Sequence, residues 1–162
     1  MKAFIFLQIL LVFVPISYGK NIYQTIDKAA FYAVLKTGNV DDINNELATI
    51  TGESFKEKQA YEGALLMRKA GLLKKPKDKL TVFKEGATKL EAAISNDNEN
   101  VEYRFLRLII QEHAPKILKY NKQIDSDSEL IKSNYKTLQP AVQQALIDYA
   151  KTSEKLHPQD FD

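Results

Sequence analysis

Cysteine and tryptophan are absent from this 162-residue sequence, and histidine occurs only at positions 113 and 157. Without cysteine there is no disulfide, no thiolate metal site, no iron–sulfur cluster and no thiol nucleophile. Two histidines leave little for a metal centre, so neither a metal nor a cofactor is expected. Charge of one sign is also lacking: 23 lysines and arginines stand against 21 aspartates and glutamates. A nucleic-acid or polyanion binder needs a basic surplus to displace counterions, and this chain has almost none. Catalytic signatures are missing too. There is no G-x-S-x-G elbow, no S-x-x-K and no glycine-rich phosphate loop.

What is present begins with a leader. Lys2 supplies a positive start, Phe4 to Val14 is apolar apart from Gln8, and Pro15 ends its helical tendency. Ser17 and Gly19 then place small residues where a signal peptidase reads, predicting cleavage before Lys20. The apolar run is shorter than the ~20 residues of a bilayer span. Residues 1–19 are therefore expected to be a signal peptide, 20–157 one domain and 158–162 a frayed tail. The expected location is periplasmic or secreted, with no membrane span after cleavage.

The remainder reads as an all-α chain of six or seven helices, because apolar residues recur at spacings of three and four. Ile22, Ile26, Ala29, Ala30 and Ala33 form the first stripe, stopped at Gly38, and Asn39 is placed to cap the next. Ser54 and Glu57 have capping-box spacing ahead of Tyr61, Ala64, Leu65 and Leu72. Lys74-Lys75-Pro76-Lys77 reads as a solvated basic link, and Leu80, Phe83, Ala87, Leu90 and Ile94 as the next stripe. The fifth helix, from Val101 to about Glu112, is apolar on most sides, which predicts a position between neighbours. Phe83, Leu90, Phe105 and Leu108 are expected in the core. A last helix is expected to carry Val142, Ala145, Leu146, Tyr149 and Leu156 inward.

Gly63 and Ala64 on one helix, then Gly86, Leu90 and Ala93 on the next, follow a small–large–small pattern. The polar turn from Asn96 to Asn100 comes after them. These residues resemble a tetratricopeptide repeat, although the link at 74–79 is longer than that family's turn and the early large aromatic is missing. The resemblance covers about 45 residues. It implies antiparallel helical pairs in a right-handed stack, with a concave face that receives a peptide or partner helix. The whole also resembles short exported helical proteins of Gram-negative bacteria, a likeness that carries no activity.

Candidate binding residues come from the scarce arginines. Arg104, Arg107 and Gln111 share one face of the fifth helix, and Arg68 is the one other arginine. A guanidinium pair of this kind can clamp a carboxylate of a protein partner, or it can bridge to Glu62, Glu91 or Glu102 within the fold. Glu112-His113 lacks the second histidine of a zinc helix, so a helix C-terminal role suits His113 better. Asp125 to Glu129 lacks the glycine and bidentate glutamate of a calcium loop, and capping by Ser126 or Asp127 explains it. The function expected is therefore an exported, non-catalytic scaffold binding a protein or peptide. The alternatives are a small enzyme using a carboxylate site and a purely structural envelope protein.

Overall fold

A computed structural model describes residues 26–52 and 55–161. The proposed leader and Ile22 lie outside the described residues, as does Ser54. The described chain forms seven α-helices: α1 Lys28–Thr37, α2 Val40–Gly52, α3 Lys58–Leu72, α4 Pro76–Asn96, α5 Val101–His113, α6 Ile124–Asn134 and α7 Pro140–Ala150. Short 3-10 turns lie at Lys116–Leu118, Tyr135–Thr137 and Pro158–Phe161.

Local chemistry sets the helix ends. The Asp27 carboxylate accepts from Ala30 N at 3.1 Å at the start of α1. Gly38 closes that helix at a φ of +67°, a conformation that favours glycine. Asn39 Oδ1 then accepts from the backbone N–H of Asp41 and Asp42, as its position suggests. Asn100 caps α5 in the same way, accepting from Tyr103 N at 3.2 Å. Pro76 is the first residue of α4, where its missing N–H costs nothing. This shortens the expected basic link to Leu73, Lys74 and Lys75.

Helices pack antiparallel, and α3 against α4 is the most extensive contact. Two glycines make it close. A Cβ on Gly63 would lie 2.8 Å from Gly86 O, and one on Gly86 would lie 2.6 Å from Gly63 O. The fifth helix touches α3, α4, α6 and α7 and buries nine of its thirteen residues, as its apolar sequence predicts. Leu90, Phe105 and Leu108 are fully enclosed in the core. The first helix packs on the last, α1 against α7. That contact differs from an open solenoid, in which each unit touches only its neighbours.

Several sequence expectations are corrected. Phe83 is half-buried and Leu80 is exposed, because the outer end of α4 projects past the core. The last helix ends at Ala150, and Leu156 reaches the core from the following loop. Ser153 ties that loop down by donating to Glu112 at 2.9 Å. Residues 158–161 are a turn rather than a frayed tail. Phe161 is buried with its ring 4.8 Å from that of Tyr135, and apolar burial outweighs the loss of terminal freedom.

Candidate binding groove

The bundle leaves a groove of about 1110 Å³ between α1, α3, α4, α5 and α7. Its room comes from small side chains. Ala29 and Ala33 on α1, and Ala141 and Ala145 on α7, are pairs four residues apart and therefore share one face of each helix. Tyr149 is a partly open ring on the groove wall, backed by the buried rings of Tyr32 and Phe105. The Tyr32 and Phe105 rings stack at 5.6 Å, and Tyr149 meets Phe105 edge-on at 5.8 Å.

The tyrosine hydroxyls are turned away into the fold. Tyr32 donates to Glu102 at 3.1 Å, and Tyr61 donates to the same carboxylate at 2.5 Å. Lys28 pairs with Glu102 as well, so this buried acid has three partners. Tyr149 donates to Glu112 and Tyr120 to Glu91. Burial first, and then the neighbouring glutamates, push all four phenols well above the ordinary tyrosine range. With its hydroxyl satisfied inside, each tyrosine that lines the groove presents ring carbon to it.

Cations border this apolar space. Lys36, Arg68, Lys79 and Lys151 line it, whereas Asp148 is the one lining carboxylate among the described residues. Lys151 bonds Asp148 at 2.7 Å and holds its carboxyl below the usual range. The groove thus contains no converging pair of acids among the described residues. Among the described residues there is no cluster of three metal-ligating side chains either.

Of the two readings of Arg104 and Arg107, a clamp on a partner or bridges within the fold, the contacts seen are of the second kind. Arg107 is 3% exposed. Its Nε and Nη2 donate to both oxygens of Asp127 at 2.7 and 2.8 Å, and its Nη1 donates to Glu91 at 2.8 Å. Burial opposes its charge, but these carboxylates more than compensate and raise its pKa further. Arg104 donates to Asn98 O at 2.6 and 3.0 Å, and lies 3.4 Å from Asp127. Gln111 is buried and donates to Gln123 at 2.9 Å. Arg104 and Arg107 are satisfied inside the fold, by Asn98 O, Glu91 and Asp127, and do not line the groove, whereas the buried Gln111 keeps its Oε1 without a hydrogen-bond partner.

Arg68 alone of the four lines the groove. It donates to Leu35 O at 3.0 Å and lies across Gly38, placing a cation at the C-terminus of α1. His113 Nδ1 lies 2.9 Å from Ile109 O, in the expected helix C-terminal position. Sequence reasoning missed Asp127, read there as a capping residue, although it is 1% exposed and anchors both Arg104 and Arg107.

Comparison with known proteins adds no relative. No family model, no curated protein and no solved structure matches the chain. Among the described residues no helix is long and apolar enough to cross a membrane.

Proposed function

We propose that this protein is a non-catalytic helical binding module whose working surface is the apolar groove. The observation that carries this reading is a space of about 1110 Å³ lined by alanine and aromatic rings and bordered by Lys36, Arg68, Lys79 and Lys151. Such a volume lies at the upper end of ligand pockets, which run to ~1000 Å³, and suits an elongated apolar guest. The carboxylate-enzyme reading loses support because Glu91, Glu102 and Glu112 are each engaged by tyrosine hydroxyls. The leader pattern supports export to a periplasmic or secreted location. The close approach at Gly63 and Gly86 supports one tetratricopeptide-like pair, α3 with α4, within the bundle.

Titration with N-phenyl-1-naphthylamine, which fluoresces when it enters apolar surroundings, tests the reading. Saturable enhancement is expected. Ala33→Trp puts an indole on the exposed wall of α1 and should abolish the enhancement while leaving the helical circular dichroism unchanged. Equal enhancement in that variant, or none in the parent, would place binding elsewhere or nowhere.

A further inference from the structure

We infer that one lip of the groove docks on an anionic lipid surface, and that the groove takes up an acyl chain from it. The inference rests on the binding-module reading above and names its guest.

The lip is built from two segments. One is the start of α4, with Leu80; the other is the 3-10 turn Lys116–Leu118, with Ile117. Ile117 is 87% exposed and Leu80 is 42% exposed, the two large apolar side chains left open among the described residues. Both line the groove, and the ring of Phe83 on α4 meets that of Tyr120 at 5.5 Å, holding the segments together. Lys119 closes the turn at a φ of +52°, the one non-glycine residue with positive φ among those described.

Lysines surround these two side chains in the sequence. Lys74, Lys75, Lys77 and Lys79 belong to one segment and Lys116, Lys119 and Lys122 to the other; Asp78 is the one acid in either. None of the seven forms an ion pair with an acid among the described residues. In a chain of net charge +2, this leaves the remainder acidic and the lip strongly basic.

Exposed aliphatic side chains set among unpaired lysines are the arrangement of an interfacial anchor. The apolar groups enter the headgroup boundary while the ammonium groups meet lipid phosphates. Lysine stems contribute apolar contact on the way. Behind this lip the groove continues as an alanine- and ring-lined space with no free carboxylate among the described residues to repel an anionic guest. A basic opening and an apolar interior match a molecule with an anionic head and a hydrocarbon tail.

Co-sedimentation with vesicles tests this, using the whole chain at about 0.1 M salt, where surface charge still acts over ~10 Å. Vesicles of phosphatidylcholine alone should retain little protein, and adding one third phosphatidylglycerol should recruit it. Changing Lys74, Lys75 and Lys77 together to Gln should weaken recruitment about a hundredfold, at ~1 kcal/mol for each lysine. Ile117→Asp should weaken it at least tenfold and, at so exposed a position, leave the fold unchanged.

Native mass measurement of the recovered protein should show bound phosphatidylglycerol in the parent and none in Ala33→Trp. Recruitment equal on both vesicles, or insensitive to Ile117→Asp, would overturn the inference by assigning membrane contact to the leader segment. Retained naphthylamine binding without recruitment to phosphatidylglycerol would also overturn it, pointing to a partner's apolar helix as the guest. Loss of naphthylamine binding in the parent would instead remove the groove reading itself.

Discussion

Arg107 and Asp127 are costly to separate, because both are enclosed and Arg107 donates to both oxygens of Asp127. Asp127→Ala would strip Arg107 of its bidentate partner, and a loss of about 3–5 kcal/mol is expected in urea unfolding. Arg107→Met combined with Asp127→Leu should recover most of that loss, since apolar replacement of a buried pair is often close to neutral. A small loss for the single change would show that water reaches the pair. Phe105, wholly enclosed between Tyr32 and Tyr149, should cost about 3–5 kcal/mol on truncation to Ala.

The three-residue spacing of the arginines was legible in the sequence, and Glu91 was among the acids named for them. Asp127 was not. In Asp125-Ser126-Asp127-Ser128-Glu129 every residue is polar, and only the packing of α6 against α5 distinguishes the enclosed carboxylate from the solvated ones.

Among the helices, α3 and α4 depend on two residues that have no side chain. Gly63→Ala would drive a Cβ to 2.7 Å from Leu90 N and 2.8 Å from Gly86 O, both backbone atoms that cannot rotate away. The helices must separate, and a loss of about 1–3 kcal/mol is expected. Gly71→Ala, in the same helix, meets nothing within 4 Å and should stabilise by up to about 1 kcal/mol through helix propensity. Thermal unfolding of the two variants compares them directly, and equal effects would contradict the tight crossing.

Helix positions followed from periodicity because a buried stripe must recur every three or four residues. Boundaries followed less well. Leu156 looked like a continuation of the last helix, yet Thr152 to Lys155 leave it and Leu156 returns from a loop. Periodicity cannot separate a residue buried from a helix from one buried beyond its end. Phe83 fitted the α4 stripe perfectly, and its partial exposure reflects where the stack of neighbours stops.

At the scale of the whole molecule, four tyrosine–carboxylate bonds link elements distant in the chain, and they carry a signature in pH. Tyr32, Tyr61, Tyr120 and Tyr149 are held protonated beyond the ordinary range, whereas the unfolded chain ionises them near pH 10. Above that pH the folded state binds more protons than the unfolded state, so stability must fall as pH rises. It should be insensitive to these groups below about pH 10, and decline above it by about 1.4 kcal/mol per pH unit for each tyrosine. Burial, followed by Glu57, raises Tyr103 to about 12, which adds to the decline. Urea midpoints unchanged up to about pH 11 would contradict the four tyrosine–carboxylate bonds.

The groove exists only at this scale. Its walls come from α1, α3, α4, α5 and α7, and the alanine pairs at 29/33 and 141/145 lie more than a hundred residues apart in sequence. No local pattern announces such a surface. The basic run at 74–79 was visible, but its juxtaposition with Ile117 needed the folded chain.

The most direct measurement is a titration of the ¹⁵N-labelled protein with N-phenyl-1-naphthylamine, followed by amide chemical shifts. If the groove is the working surface, shifts gather at Ala29, Ala33, Leu80, Ile109 and Ala145, while the amides of Arg104, Arg107 and Asp127 stay still. Shifts centred on the Arg104–Arg107 face, or scattered without a focus, would contradict it.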